Sequence, residues 1–518
     1  MTAVTYARLR AADPGRWRAA ALDWRQWAAA AGRWTAELAA HLARVQAVWT
    51  GAAAASAAAR IRRLRCALDR LRLLCWEADQ TLSEFAAVLV RARALLARAT
   101  EAAARAGQVI RDDGSLPRAG AAQAAGDLAT VLRLAAAADA AATRRLAGLA
   151  ELAAAPGGTA PPVPPAPLPP PTAAPAEVRR WWDGLSPAQR HHLVATEPAR
   201  IGPRDGIPAA DRDLANRLLL DQHRAGLDRA MAHATGRERR RLGGLRDGLD
   251  DLERRLVQAE GPRGYLLALT FDGEGGAVVA LGDPDRADHV LTHVPGMTAD
   301  LASYRPELAR AERVAVRATE LAPAAGTSAV LWLGYDAPDF VDEAAGRGLA
   351  EAGAAGLRGF QDGLRATHHG DAGHLTVLGH SYGSLVVGSA ATGPGLQADD
   401  VVFVGSPGVG VDSVRDLAVP PDRVWAGTAR SDVVQYAAVS ARSLLEDLVV
   451  SRALPVAGPV LAFGLPEDDL WHGRNPADPA FGARVFGCQP GAGHTGYWEP
   501  GGPALDALAG ITVRRGPS

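Results

Sequence analysis

Apolar and polar positions follow two regimes along this chain. Up to about residue 154, alanine, leucine and arginine dominate, and apolar side chains recur at helical spacing. Asp13-Pro14 has the form of a helix start, with a capping aspartate and proline in the first turn. Trp17, Trp24, Trp27 and Trp34 then recur at steps of seven, three and seven, and Leu38, Val45 and Val48 continue the row. The spacing predicts rings on one helix face, aimed at a partner helix; the alternative use of that face is binding a partner protein. Glycine favours a helix stop, so the run should end near Trp49-Thr50-Gly51. A second helix is expected over about 53–107, with Ile61, Leu64, Leu68, Leu71, Cys75, Phe85, Val88 and Leu89 on its apolar face. A third is expected over about 118–153.

Residues 155–177 are too rich in proline for a helix or a ladder, and predict an extended spacer between an N-terminal helical hairpin (1–154) and the rest (178–518). Helical character returns over 178–260, where Ser186 and Gln189 have capping-box spacing. From 265 onward short apolar runs alternate with helical segments. Strands are expected at 265–271, 277–281, 289–294, 328–333, 375–378, 401–404, 423–427 and 484–486, with helices at 307–321 and 350–367. The first two strands flank Asp272-Gly273-Glu274-Gly275-Gly276, a hairpin signal. The alternation argues for an α/β fold, a mostly parallel sheet with helices on both faces.

Composition narrows the function. The 518 residues are 48 % hydrophobic and 22 % charged, which excludes a globally disordered chain. A formal charge of −1 lacks the basic excess of a nucleic-acid protein. Every basic residue is arginine, so lysine Schiff-base chemistry is excluded. Cys66, Cys75 and Cys488 have no metal or redox spacing, and no cofactor or metal is expected. No signal peptide or membrane-spanning run is read from the sequence.

The chemistry centres on Gly379-His380-Ser381-Tyr382-Gly383, which fits G-x-S-x-G between an expected strand, LTVL, and an expected helix, SLVVGSAA. A tight strand-to-helix turn would lift the Ser381 hydroxyl above the sheet. A serine needs a base, and His472 and His494 are the histidines downstream. His494 follows the last expected strand and is the better base. The orienting acid should hang from a strand end beyond the elbow, which favours Asp432; Asp478 and Asp412 are the alternatives. The amides of Tyr382 and Met297 are the candidate oxyanion donors, Met297 because Val294-Pro295-Gly296 lets the backbone come close. The reading is a serine esterase or lipase-like hydrolase acting on a small-molecule or lipid ester. The alternative is an interaction protein whose working surface is the hairpin, carrying an inactive or auxiliary hydrolase fold.

Two resemblances add to this. The hairpin with Trp49-Thr50-Gly51 at its bend resembles the WXG-type helical proteins of actinobacterial type VII secretion, which implies a helical partner. That family's tyrosine-and-acid export tag is absent after the second helix, and Tyr335 and Asp339, which have its spacing, lie in the α/β region. Either a cytoplasmic location or export by that route is therefore expected. The stretch 181–494 resembles an actinobacterial family of α/β-hydrolase proteins. The residues that carry the likeness are Trp181 to Ser186, Ile201-Gly202, Asp205 to Pro208, Arg212 and Asn216, Val294 to Gly296, Trp332 to Asp336, Gly379 to Ser384, Gly405 to Gly408, Phe481 to Ala483 and His494. The resemblance implies a serine-hydrolase site at Ser381, Asp432 and His494 and names no substrate.

Overall fold

The first long helix starts where its cap dictates. The Asp13 carboxylate accepts a hydrogen bond from the Gly15 N–H at 2.8 Å, and Pro14 occupies the first turn, where its missing N–H costs nothing. The structure is a computed structural model and describes residues 4–116, 122–154, 167–258, 261–271, 273–437 and 469–515. Its N-terminal helical region comprises α1 (Tyr6–Ala11), α2 (Pro14–Val48), α3 (Ala52–Arg105) and α4 (Ala122–Ala154). The chain reverses between α2 and α3 at Gly51, whose φ of 99° suits glycine.

The tryptophan row does not face α3. Ala21, Ala28, Thr35 and Leu42, a strict seven-residue repeat, are buried in that seam, whereas Trp24, Trp27 and Trp34 are exposed, Trp27 by 60 %. Small residues let the two backbones come close, and the bulky rings are left on the flank of the contact. Trp17 alone of the four stacks on α3, edge-on to Phe85 with ring centroids 5.1 Å apart.

Of the expected spacer, residues 155–166 lie outside the described residues, and the chain is helical again from Pro175. Five helices follow: α5 (Pro175–Asp183), α6 (Pro187–Thr196), α7 (Pro198–Ile201), α8 (Ala209–His233) and α9 (Gly236–Val257). The capping box forms at Ser186, whose Oγ accepts from the Gln189 N–H while Gln189 Oε1 accepts from the Ser186 N–H. The Trp181–Ser186 and Ile201–Pro208 stretches join these helices to the sheet. Trp182 is fully buried and donates its indole N–H to Asp211 at 2.8 Å. Arg212 and Asn216 both donate to the Gly202 carbonyl and reach carbonyls of the first strand, Leu267 and Leu266.

The sheet contains β1 (Gly264–Thr270), β2 (Gly276–Leu281), β3 (His289–Val294), β4 (Thr327–Trp332), β5 (His374–His380), β6 (Asp400–Val404), β7 (Val424–Gly427) and, after the two-stranded pair β8 (Asp469–Leu470) and β9 (Gly473–Arg474), β10 (Arg484–Val485). The eight strands lie in the order β1-β2-β4-β3-β5-β6-β7-β10. Among the described strands β2 pairs antiparallel with β1 and β4, and β3 to β7 and β10 are parallel to one another. Helices on both faces explain why β5, β6 and β7 are buried along their whole length, whereas the edge strand β10 is exposed. Alternate residues serve opposite cores. Val290, Val377 and Phe403 pack under α12 (Gly348–Thr367) and α13 (Gly383–Ala391), while Leu291, Leu378 and Val402 pack against α10 (Tyr304–Leu321) and the last helix, Pro503–Thr512. Each such side chain contributes roughly 1.5–3 kcal/mol by leaving water. Among the described residues the remaining short α-helices are α11 (Val341–Ala344) and α14 (Val434–Ala437); with them the helix Pro503–Thr512 is α15.

The helical region is fastened to this α/β part by buried ion pairs. Asp79 of α3 accepts from Arg25 of α2 (2.8 Å) and from Arg263 beside β1 (2.9 Å). Arg263 also pairs with Asp213 of α8 at 2.8 Å, and Asp213 pairs with Arg217. Gln80 closes the group by donating to Asp213 at 3.1 Å. Among the described residues no helix is long and apolar enough to cross a membrane.

Candidate active site

β5 is buried throughout and delivers the chain to Ser381, whose φ of 54° is rare for a residue with a side chain. That turn is possible because its neighbours are small. A Cβ on Gly383 would lie 2.3 Å from the Val294 carbonyl oxygen, so only glycine lets α13 start against the end of β3. The Ser381 N–H donates to the Val404 carbonyl, which ties the turn to the end of β6. Gly296 keeps space open over Ser381, since a Cβ there would sit 2.6 Å from the Ser381 Cβ and 3.0 Å from its Oγ.

Past β7 the chain turns through Asp432, which is fully buried. His494 sits on the short 3-10 turn Gly493–Trp498, and its Nδ1–H points between both carboxylate oxygens of Asp432, at 2.9 and 3.0 Å. The phenol of Tyr497 donates to Asp432 Oδ2 at 2.5 Å, and the Val434 N–H donates to Oδ1 at 3.0 Å. Burial alone would raise the Asp432 pKa; the hydrogen bond and charge of His494, with the bond from Tyr497, more than offset it, and the carboxyl is held below its ordinary value. With Nδ1 committed to Asp432, Nε2 is the nitrogen left to exchange a proton.

Ser381 Oγ and His494 are not hydrogen-bonded in the free protein. Asp432 and His494 both lie against Gly405, where a Cβ would meet Asp432 Oδ2 at 2.7 Å and His494 Nδ1 at 3.1 Å. Gly405 directly follows Val404, the residue that anchors the Ser381 amide. The amides of Tyr382 and Met297 donate to no backbone carbonyl among the described residues. The loop that carries Met297 is braced by Tyr335, whose hydroxyl donates to the Pro295 carbonyl at 2.7 Å.

The other residues weighed from sequence lie elsewhere. His472 is buried and bonds the Ala344 carbonyl at 2.8 Å. Asp478 pairs with Arg474 at 2.7 Å, and Asp412 accepts from the Arg474 N–H at 2.9 Å. None of the three is hydrogen-bonded to His494. Sequence reasoning missed Tyr497, Gly405 and His380. His380 is buried beside His494, with ring centroids 4.7 Å apart, and its Nε2 lies 3.0 Å from the His494 carbonyl oxygen. Burial, with the His494 imidazole close by, lowers its pKa to about 3, so it is neutral. Tyr497 had one available signal, a hydroxyl three residues after a candidate base, on the same face of one helical turn.

Fold and comparisons define an alpha/beta hydrolase domain in this chain. An alpha/beta hydrolase family model matches residues 272–441, which include Ser381 and Asp432. An uncharacterized protein of Mycobacterium tuberculosis (strain H37Rv) is 31 % identical over 401 residues, covering 70 % of this chain and 59 % of the relative. A second uncharacterized protein of the same strain is 35 % identical over 156 residues, 29 % of this chain and 58 % of that protein. The chain thus spans under two thirds of the length of these relatives.

Proposed function

We propose that the protein is a serine hydrolase that cleaves carboxylic esters through an acyl-enzyme. Ser381 attacks the ester carbonyl, and His494 Nε2 accepts the hydroxyl proton. Asp432 holds the imidazole in the required tautomer and stabilises the cation that forms. The Tyr382 and Met297 amides face the developing oxyanion. The alkoxide leaves with the proton returned by His494, and water, deprotonated by the same nitrogen, releases the acid. The missing Ser381–His494 bond closes when substrate enters, as catalytic hydrogen bonds do on forming the Michaelis complex. The observation that carries this reading is the buried Asp432 carboxylate, held by Tyr497 and Val434 and pointed at the His494 imidazole next to the strained Ser381.

A fluorophosphonate probe tests it, because the probe bonds covalently to an activated serine. The wild-type chain should label, and Ser381→Ala should not label at all. His494→Ala should slow labelling by about a thousandfold or more. A folded wild type that resists the probe, or a Ser381→Ala variant that still labels, would overturn the proposal.

A further inference from the structure

The far end of the α2–α3 hairpin has a charge pattern of its own. No residue from 45 to 59 carries a charge. Residues 46–53, which form the bend, are all exposed, including Val48 at 87 % and Trp49 at 42 %. Just behind this uncharged cap the charge becomes strongly positive. Residues 33–71 contain seven arginines and two carboxylates, in a chain whose net charge is −1. Ion pairing with the body of the protein reaches Arg72, which pairs with Asp221, and goes no further along the hairpin: Arg60, Arg62 and Arg63 are exposed and make no ion pair among the described residues.

The dimensions fit a layered surface. Arg44 lies four residues, about 6 Å, behind Val48, and Arg60 lies eight residues, about 12 Å, behind Ala52. An amphipathic segment lying in the bilayer interface buries about 5–10 Å into the headgroup and acyl boundary, with its cations at the phosphates. At about 100° per residue, Arg60, Arg62 and Arg63 fall within about 160° of one another, on one broad face of α3. A broad cationic face behind an exposed, uncharged tip that carries Val48 and Trp49 suits a planar layer of anions with an apolar interior. Tryptophan is the residue favoured at the membrane–water boundary.

We propose that this tip docks on an anionic lipid bilayer, with Val48 and Trp49 entering the headgroup boundary and Arg44, Arg60, Arg62 and Arg63 resting on headgroup phosphates. The inference is independent of the chemistry at Ser381.

Co-sedimentation of the full chain with vesicles tests it. Vesicles of phosphatidylcholine with about one third phosphatidylglycerol should carry the protein down, and pure phosphatidylcholine should not. Raising the salt should release it. The Val48→Ser/Trp49→Ser variant should lower partitioning about tenfold, and Arg60→Gln/Arg62→Gln/Arg63→Gln by about tenfold or more. Circular dichroism checks that the variants keep their helices, and the wild-type lipid and salt dependence decides the matter even if one of them does not. Equal sedimentation with both vesicle types, or binding that salt leaves intact, would overturn the proposal. So would a folded Val48→Ser/Trp49→Ser variant that binds like wild type, since the site would then be a general polyanion surface, open equally to nucleic acid.

Discussion

Two buried carboxylate clusters organise this molecule, and they differ in what their partners can do. At the root of the hairpin, Asp79 and Asp213 face Arg25, Arg217 and Arg263. Guanidinium stays charged at any pH a cell meets, so this cluster has a single protonation state. At Asp432 the partners are an imidazole, a phenol and a backbone N–H. The imidazole is a group that can serve as a general base, which a guanidinium is not. Burial lowers the pKa of neither carboxylate. Burial raises both, and in each case the partners reverse the effect. The lesson is that a buried, ionised carboxylate does not by itself mark a functional site. What matters is whether its partner can titrate and whether that partner reaches a reactive group.

The comparison yields opposite expectations for two substitutions. Asp432→Asn should lower the rate of probe labelling and of ester turnover by about 10⁴-fold, because an amide no longer enforces the Nδ1–H tautomer. The melting temperature should move little. A variant that labels at the wild-type rate would remove Asp432 from the mechanism. Asp79→Ala should do the reverse. It leaves Arg25 buried without a carboxylate and Arg263 with Asp213 as its remaining one, which costs about 3–5 kcal/mol in denaturant unfolding. The fraction that remains folded should label at the wild-type rate. The pH dependence has a definite sign. Burial raises the Asp79 pKa, but Arg263 and Arg25 lower it further, so the folded value lies below the ordinary 3.8. The stabilisation is therefore intact above that value and is lost as the pH falls through the lower, folded one. Wild type should lose stability steeply in that acid range, and Asp79→Ala should lose less.

These two clusters were not equally legible in the sequence. The elbow is local: five residues between an apolar strand and a helix mark Ser381, and strand ends and chain order lead to Asp432 and His494. The hairpin root is the opposite case. Asp79 and Arg263 are 184 residues apart, and nothing in either segment names the other. The proline-rich segment marks a boundary between two parts and is silent on how they meet, and α3 is held on α8 and β1 through buried charge. The tryptophan row failed for a different reason. Its heptad spacing is real, but alanines at neighbouring positions form the tighter seam, and a small rotation of α2 moves Trp24, Trp27 and Trp34 out of it. Heptad spacing locates a stripe on a helix; the size of the adjacent side chains decides whether that stripe is the one buried.

Tyr497 gives the finest test of how the second cluster works. Its hydroxyl donates to Asp432 Oδ2 at 2.5 Å and accepts from the Ala429 N–H at 3.2 Å. It therefore ties the carboxylate to the turn after β7, and burial beside Asp432 raises its own pKa, so the phenol stays protonated and remains a donor. Its effect would pass through Asp432, which makes it a positioning residue. Tyr497→Phe removes one hydrogen bond to a charged acceptor, worth about 1.5–3 kcal/mol. Two other donors stay on Asp432, so the loss should be shared between stability and rate. Labelling should slow by about tenfold, well short of the Asp432→Asn effect. The telling measurement is the pH–rate profile. If the phenol matters because it keeps Asp432 an anion of fixed direction, its removal should shift the apparent pKa of the base in the labelling profile. A purely structural role would lower the melting temperature and leave that profile in place.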